Sequence, residues 1–426
     1  MSIYESRLEL FLDRGLFLIL VGVICISFFL TQRLQKIDWD LNFGETFLML
    51  FTVASVVAVL VGIGYLIPFI LIFVCLVYLI EISKISIAYR KVFQVSRSTS
   101  EKFQVVLIVL FTGFLLITSS VQIHYDYFHQ FAYSIDIANN IRSPSRWLQE
   151  FDPTYWPIKT QTILPGLDAI EIFFGRGYIN NSLALIFVAM LMIVIMWRLK
   201  CQGVNRALFL FCLCIYLWDF AHTPRPHILV GLACCMLMIS GGRFLARCLS
   251  LAILILAKRD GLIVVLIMGV AWYGYFLFSK NYLKSSLRFV GAKKIIHLLV
   301  ILLLFLCAYY FSQWVPIKGH TISDIFRQII VGADFSILDS LSVQIVVGIT
   351  AIVLLKLFLS RSEQVPVVAV LVIAAVLIHL VLSALTLMVL NQFNEGTINR
   401  KLVYILLPCM LVFLSNNWSA HDKIDE

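Results

Sequence analysis

The feature that most constrains this chain is a succession of apolar runs, most of them about as long as a bilayer is thick, separated by short polar stretches. A membrane-crossing helix needs about 20 mostly apolar residues. Such runs cover 15–31, 46–63, 65–82, 104–122, 182–198, 206–221, 226–240, 244–257, 261–279, 295–314, 341–360, 365–389 and 401–415. Composition points the same way: of 426 residues, 61% are hydrophobic and only 13% charged, and the mean hydropathy is +0.96. A water-facing domain carries about a quarter charged residues and could not hide so much apolar surface. A soluble enzyme, a disordered chain and a free nucleic-acid binder are therefore excluded. The predicted fold is all-α: a polytopic integral membrane protein with about 11–13 transmembrane helices and interfacial helices in a long outer loop.

Charge placement orients these spans. Lys84, Arg90, Lys91, Arg97 and Lys102 fall in 83–103, and Lys280, Lys284, Arg288, Lys293 and Lys294 in 280–294. Arg198, Lys200 and Arg206 form another group, Arg243 and Arg247 a fourth. With spans alternating from 104 onward, all four groups share one side, and the positive-inside rule makes it cytoplasmic. Segment 123–181 then faces outward, as do 315–340 and 390–400, and the C-terminus lies inside. The run 46–82 carries Gly62, Gly64 and Pro68 near its middle. Two helices there put the N-terminus outside; one kinked helix puts it inside. The two-helix reading is preferred. The chain divides into N-terminal spans (1–103), a core with the outer loop (104–294) and C-terminal spans (295–426).

The outer loop is rich in aromatics, among them Tyr125, Tyr127, Phe128, Trp147, Tyr155 and Trp156. Apolar groups at helical spacing over 127–140 and 167–174 predict amphipathic helices lying at the interface. A long aromatic loop of this kind is usually functional.

The ten cysteines lack a paired-ligand spacing and lie in or beside apolar runs. They read as small buried hydrophobes rather than a zinc site. Residues 14–31 lack a small-residue cleavage site and read as an uncleaved helix. HExxH, Walker and GxSxG motifs are absent from the sequence.

Ionisable groups at membrane depth are costly and are functional candidates by default. Span 104–122 runs into Ile123-His124-Tyr125-Asp126-Tyr127-Phe128-His129. Asp126 is a candidate general base flanked by His124 and His129, or a plain N-cap. Asp219-Phe220-Ala221-His222-Thr223-Pro224-Arg225-Pro226-His227 is a short, proline-stiffened outer turn. Its Arg225 is a candidate phosphate ligand, or a lipid-headgroup anchor. Lys258-Arg259-Asp260-Gly261 puts two cations after a short span. They are candidate donors to a lipid phosphate, or snorkelling side chains. Arg400 and Lys401 sit on the outer side against the charge bias, which makes Arg400 or Lys401 a candidate anion ligand. His297 and His379 are lone histidines in apolar helices and read as packed, hydrogen-bonded groups.

Taken in order, these pieces resemble the C-type (GT-C fold) membrane glycosyltransferases that use polyprenyl-phosphate-linked sugars. That family carries an acid where an early helix enters a long first outer loop, the place of Asp126. Asp152-Pro153-Thr154-Tyr155-Trp156-Pro157 resembles its proline-rich platform without the common Pro-Pro pair. Arg225-Pro226-His227 resembles its basic-Pro-acidic signature, with His in place of the acid. Lys258-Arg259-Asp260-Gly261 fits a Lys-x-x-Gly cluster, and Asn399-Arg400, Tyr404 and Pro408 a C-terminal echo. Three apolar segments precede the Asp helix where the family usually has none. The resemblance implies sugar transfer at the outer face of a bacterial inner membrane, with Asp126 as base. Arg142, Asp152, Arg225, His227, Lys258, Arg259 and Arg400 would contact substrate, and cations would stabilise the leaving phosphate. A divalent cation, held by Asp126 with Asp136 or Asp152, would be an optional cofactor, so no metal is assigned. The partners implied are a polyprenyl-linked sugar lipid and membrane lipid, with no nucleic acid.

Two other readings stay open. An O-antigen-type polysaccharide polymerase or ligase would use a similar donor, and Arg142, Arg146 and Arg176 in the large loop suit it. A secondary transporter or flippase would show internal repeats and midplane helix breaks; no repeat is visible.

Overall fold

The computed structural model describes residues 16–36, 41–62, 99–118, 134–135, 137–139, 162–174, 181–199, 203–240, 243–278, 348, 367–389 and 403–414. Every element among them is helical. The helices are α1 (Leu16–Lys36), α2 (Phe43–Gly62), α3 (Thr99–Thr118), α4 (Ile163–Phe174), α5 (Ser182–Arg198), α6 (Gly203–His222), α7 (Pro226–Ile239), α8 (Phe244–Ala257), α9 (Arg259–Phe278), α10 (Val367–Val389) and α11 (Val403–Leu414). The chain forms two compact units, Met1–Ala257 and Lys258–Ile424.

Helix boundaries follow local chemistry. Asn42 and Glu45 form a reciprocal capping box at the start of α2: the Glu45 N–H donates to Asn42 Oδ1 at 2.8 Å, and the Asn42 N–H donates to Glu45 Oε2 at 2.9 Å. Arg225 is extended and Pro226 opens α7, where the missing N–H costs nothing. Hydroxyls inside apolar helices donate to the carbonyl one turn back, as Thr52 does to Leu48 at 2.8 Å and Ser250 to Ala246 at 2.7 Å. Polar groups are thereby paired within their own helix.

In the first unit α5 is the hub, packing against α2, α3, α4, α6 and α7. Its faces are buried almost all round, from Leu183 through Met196. Helix α7 is enclosed in the same way between α5 and α8. Helices that are apolar on every face belong in such a position.

Helix α4 departs from expectation. It does not lie along a surface: Ile163, Leu167, Asp168, Ala169 and Glu171 are all buried. It packs on α2 so closely that a Cβ at Gly166 would stand 2.4 Å from the Ser55 carbonyl oxygen. Ile137 and Ala138 join Val59, Ala169 and Ile172 in one apolar cluster. The sequence pattern of α4 looked amphipathic because of its acids, but those acids are enclosed. Glu171 Oε2 accepts from the Leu183 N–H at 3.3 Å, which satisfies a donor at the start of α5 that has no partner within its own helix.

Outward faces are strongly apolar. Val204, Leu208, Phe211, Ile215 and Trp218 form an exposed stripe on α6, and Phe103, Val106, Leu110, Phe114 and Ile117 one on α3. On α1, Ile24, Phe28 and Phe29 are exposed while Ser27 and Thr31 are buried. Among the described residues, one segment, Val204–His222, is long and apolar enough to cross a membrane by length and composition. The cysteines follow the sequence reading in part. Cys234, Cys235 and Cys409 are buried, Cys212, Cys214 and Cys248 half-buried, and Cys25 is exposed.

In the second unit α10 packs along α9 and against α11. The core there includes Val264, Val372, Ile373, Val376, Leu407 and Leu411.

Candidate functional site

Two ends of the first unit have different chemistry. At one end, buried Glu45 in the first turn of α2 meets Arg198 at the close of α5 (3.1 Å) and Arg243 just before α8 (2.9 Å). Arg206, also buried, donates to the Leu199 carbonyl at 3.1 Å and the Met196 carbonyl at 2.8 Å, and pairs with Gln104 of α3. Arg206 satisfies carbonyls at the close of α5 and ties α6 to α3, while Glu45 draws Arg198 and Arg243 to the start of α2.

The same contacts fix helix directions. Glu45 and Gln104 place the beginnings of α2 and α3 at this one end.

At the opposite end lie the close of α6, the start of α7, α4, the start of α5 and the close of α8. The Thr223 N–H donates to the Asp219 carbonyl at 2.8 Å as α6 ends, and His222 Nδ1 donates to the Trp218 carbonyl at 2.9 Å. Half-buried Arg225 and His227 flank Pro226 on the next turn. The Thr162 N–H donates to the Leu256 carbonyl at 2.8 Å and ties α4 to the end of α8. Asn181, before α5, adopts a left-handed conformation (φ 52°), which Asn tolerates better than most residues.

Among the described residues, a concentrated polar cluster belongs to the second unit. Asp260, in the first turn of α9, is buried. Its Oδ2 accepts from the Tyr404 hydroxyl at 2.7 Å and lies 3.3 Å from Lys258 Nζ. Its Oδ1 lies 3.6 Å from His379 Nε2. His379 is 2% exposed, and the same Nε2 is 3.4 Å from Ser383 Oγ one turn along α10. The rings of His379 and Tyr404 stand 6.2 Å apart. This is not a nucleophile–histidine–acid relay, which needs the acid and the hydroxyl on different ring nitrogens; here both face Nε2. What the cluster does provide is a paired ammonium: Lys258 directs one of its N–H donors to Asp260. Around it stands a carboxylate braced from two other helices.

Of the residues singled out from sequence, Arg225 and His227 come together on one turn, and Lys258 and Arg259 stand together at the start of α9. Asp126, His124, His129, Arg142, Asp152 and Arg400 lie outside the described residues. Among the described residues no group of three or more His, Cys, Asp or Glu side chains could hold a metal ion. Sequence reasoning gave Asp260 no role, left Tyr404 as a faint echo and read His379 as a packed, hydrogen-bonded group. His379 is packed and polar-paired, and one of its partners is an acid. The available signal was the His379/Ser383 spacing of one turn in an otherwise apolar helix.

No protein-family model, curated protein or solved structure matches this chain.

Proposed function

We propose that this chain is a polytopic membrane glycosyltransferase of the inner membrane. It would move a sugar from a polyprenyl-phosphate-linked donor to an acceptor at the outer face. The observation that carries the reading is the two-ended arrangement of the first unit. The Arg198, Arg206 and Arg243 end is the one the positive-inside rule assigns to the cytoplasm. The Arg225–His227 turn, α4 and the close of α8 gather at the other end. The exposed stripes of α1, α3 and α6 support a lipid environment, since a water-soluble monomer rarely presents contiguous apolar patches of that size.

In this reading Asp126 takes the proton from the acceptor hydroxyl as that oxygen attacks the anomeric carbon. The bond to the donor phosphate breaks, and the phosphate leaves with the electron pair. A cation, Arg225 in the first unit or Lys258 in the second, would offer a charge-assisted donor to the oxygen on which negative charge grows. The membrane-embedded helices would hold the polyprenyl tail.

The test is a transfer assay in native-host membranes, following consumption of the polyprenyl-linked sugar at matched expression. Asp126→Asn should lower turnover roughly 100-fold or more, the usual scale for removing a general base. Full activity in the variant would reduce Asp126 to a helix cap and favour the polymerase or ligase reading. No donor consumption by the wild type would favour a transporter.

A further inference from the structure

We infer that the end of α6 opposite the Glu45 cluster is a phospholipid site. The apolar stripe of α6 takes an acyl chain, Trp218 sits at the interface, and Arg225 takes the phosphate of an anionic headgroup. The inference rests on the membrane placement proposed above. It does not depend on the transfer chemistry, and it takes Arg225 out of that step.

Three features line up along one helix. Val204, Leu208, Phe211, Ile215 and Trp218 follow one another at helical spacing, so they share one face of α6, and each is between 47% and 74% exposed. Helix α6 has 20 residues. At ~1.5 Å per residue that is about 30 Å, the thickness of the hydrocarbon core of a bilayer. The close of α6 therefore falls at headgroup level. Trp218 lies one turn before that close, at the depth where tryptophan is enriched. The His222 ring packs on it with centroids 4.6 Å apart, and His222 Nδ1 donates to the Trp218 carbonyl at 2.9 Å. The indole is thus backed by a second ring.

Arg225 is the next cation along the chain. It is half-buried and precedes α7 without capping it. Among the described residues its guanidinium makes no hydrogen bond or ion pair. Asp219 does not pair with it either; that half-buried acid follows Trp218 directly and so stands about 100° around the helix from it. A cation partly withdrawn from water carries a desolvation cost that a counter-anion offsets. Its planar donors fit a phosphate in a two-pronged contact, and the start of α7 adds partial positive charge. An apolar face, an interfacial indole and a cation, in that order, complement the chain, the glycerol region and the phosphate of one lipid. The stripe is open along its whole length, so it meets the abundant phospholipid of the bilayer rather than a rare lipid held in a cleft.

The experiment titrates the full chain in maltoside micelles with phosphatidylglycerol or phosphatidylcholine and reads bound lipid by native mass spectrometry, with undecaprenyl phosphate as competitor. Wild type, Arg225→Gln, Arg225→Lys and Trp218→Ala are compared, each with its thermal unfolding in the same detergent. The wild type should hold phosphatidylglycerol about tenfold or more tighter than phosphatidylcholine, the scale of a hydrogen bond to a charged group. Arg225→Gln should abolish that preference and leave phosphatidylcholine binding unchanged. Arg225→Lys keeps the charge and loses the fork, so it should retain only part of the preference; it decides the matter if Arg225→Gln fails to fold. Trp218→Ala should weaken both lipids. Equal binding of the two lipids by the wild type, or an undiminished preference in Arg225→Gln or Arg225→Lys, overturns the headgroup site. Unchanged lipid binding by Trp218→Ala overturns the placement on α6. Displacement of phosphatidylglycerol by an equal concentration of undecaprenyl phosphate overturns the phospholipid assignment and returns Arg225 to the donor. The transferase reading itself stands or falls with the donor-consumption assay, not with these titrations.

Discussion

Glu45 carries three duties at once. It completes the capping box of α2 and balances two guanidiniums from distant helices. Removing one partner of a buried ion pair leaves the other charged and unsolvated, at a cost of about 3–5 kcal/mol. Glu45→Ala should therefore destabilise the protein by about that much in chemical or thermal unfolding in detergent. Glu45→Gln should cost less, since Gln at this position still serves the capping box, but should not reach wild-type stability. Equal stability of Ala and wild type would show that the two arginines find other partners. None of this could be read from the sequence. The partners lie 153 and 198 residues away, and Asp260 and Tyr404 are separated by 144. Arg198, Arg206 and Arg243 were legible as a group on one side, but as loop charges; their use as helix fasteners depends on which carbonyls and carboxylate they meet.

At the scale of the element, helix existence was largely readable and helix environment was not. The run 182–198 coincides with α5, and the runs at 226, 244 and 365 match α7, α8 and α10 to within a residue or two. Periodicity reports that a segment is apolar, not which neighbour covers it. Helix α4 makes the difference plain. Its glycine is needed for contact, because the approach to Ser55 leaves no room for a methyl group. Gly166→Ala should push α4 off α2 and lower stability by at least about 1–3 kcal/mol. Gly113→Ala in α3 is the control: nothing stands within 4 Å of its Cβ, and the better helix propensity of Ala should leave stability unchanged or raise it by up to about 1 kcal/mol. Parallel unfolding curves of the two variants check both. Similar losses in each would mean the α2–α4 contact is not tight.

For the whole molecule, the gathering of the starts of α2 and α3 at one end of the first unit is the main gain over sequence. Sided labelling tests the membrane orientation that the proposed function requires. A single cysteine at Glu150 should react with an impermeant reagent from outside, and one at Arg90 only after access to the cytoplasm. Labelling of position 150 from the cytoplasmic side alone would invert the orientation and remove the proposed active site from the outer face.

The sequence by itself determined that the chain is helical and strongly apolar, with its cationic residues grouped in short connections. Each follows from local quantities: run length, hydropathy and the sign of side chains in short connections. Only the tertiary structure decided that α4 is buried, that Glu45 joins three helices, and that Lys258 is held by an aspartate braced from α10 and α11. Those facts arise from meetings between residues more than a hundred positions apart. A short polar side chain in an apolar helix looks the same in sequence whether its partner is lipid, water or another buried charge.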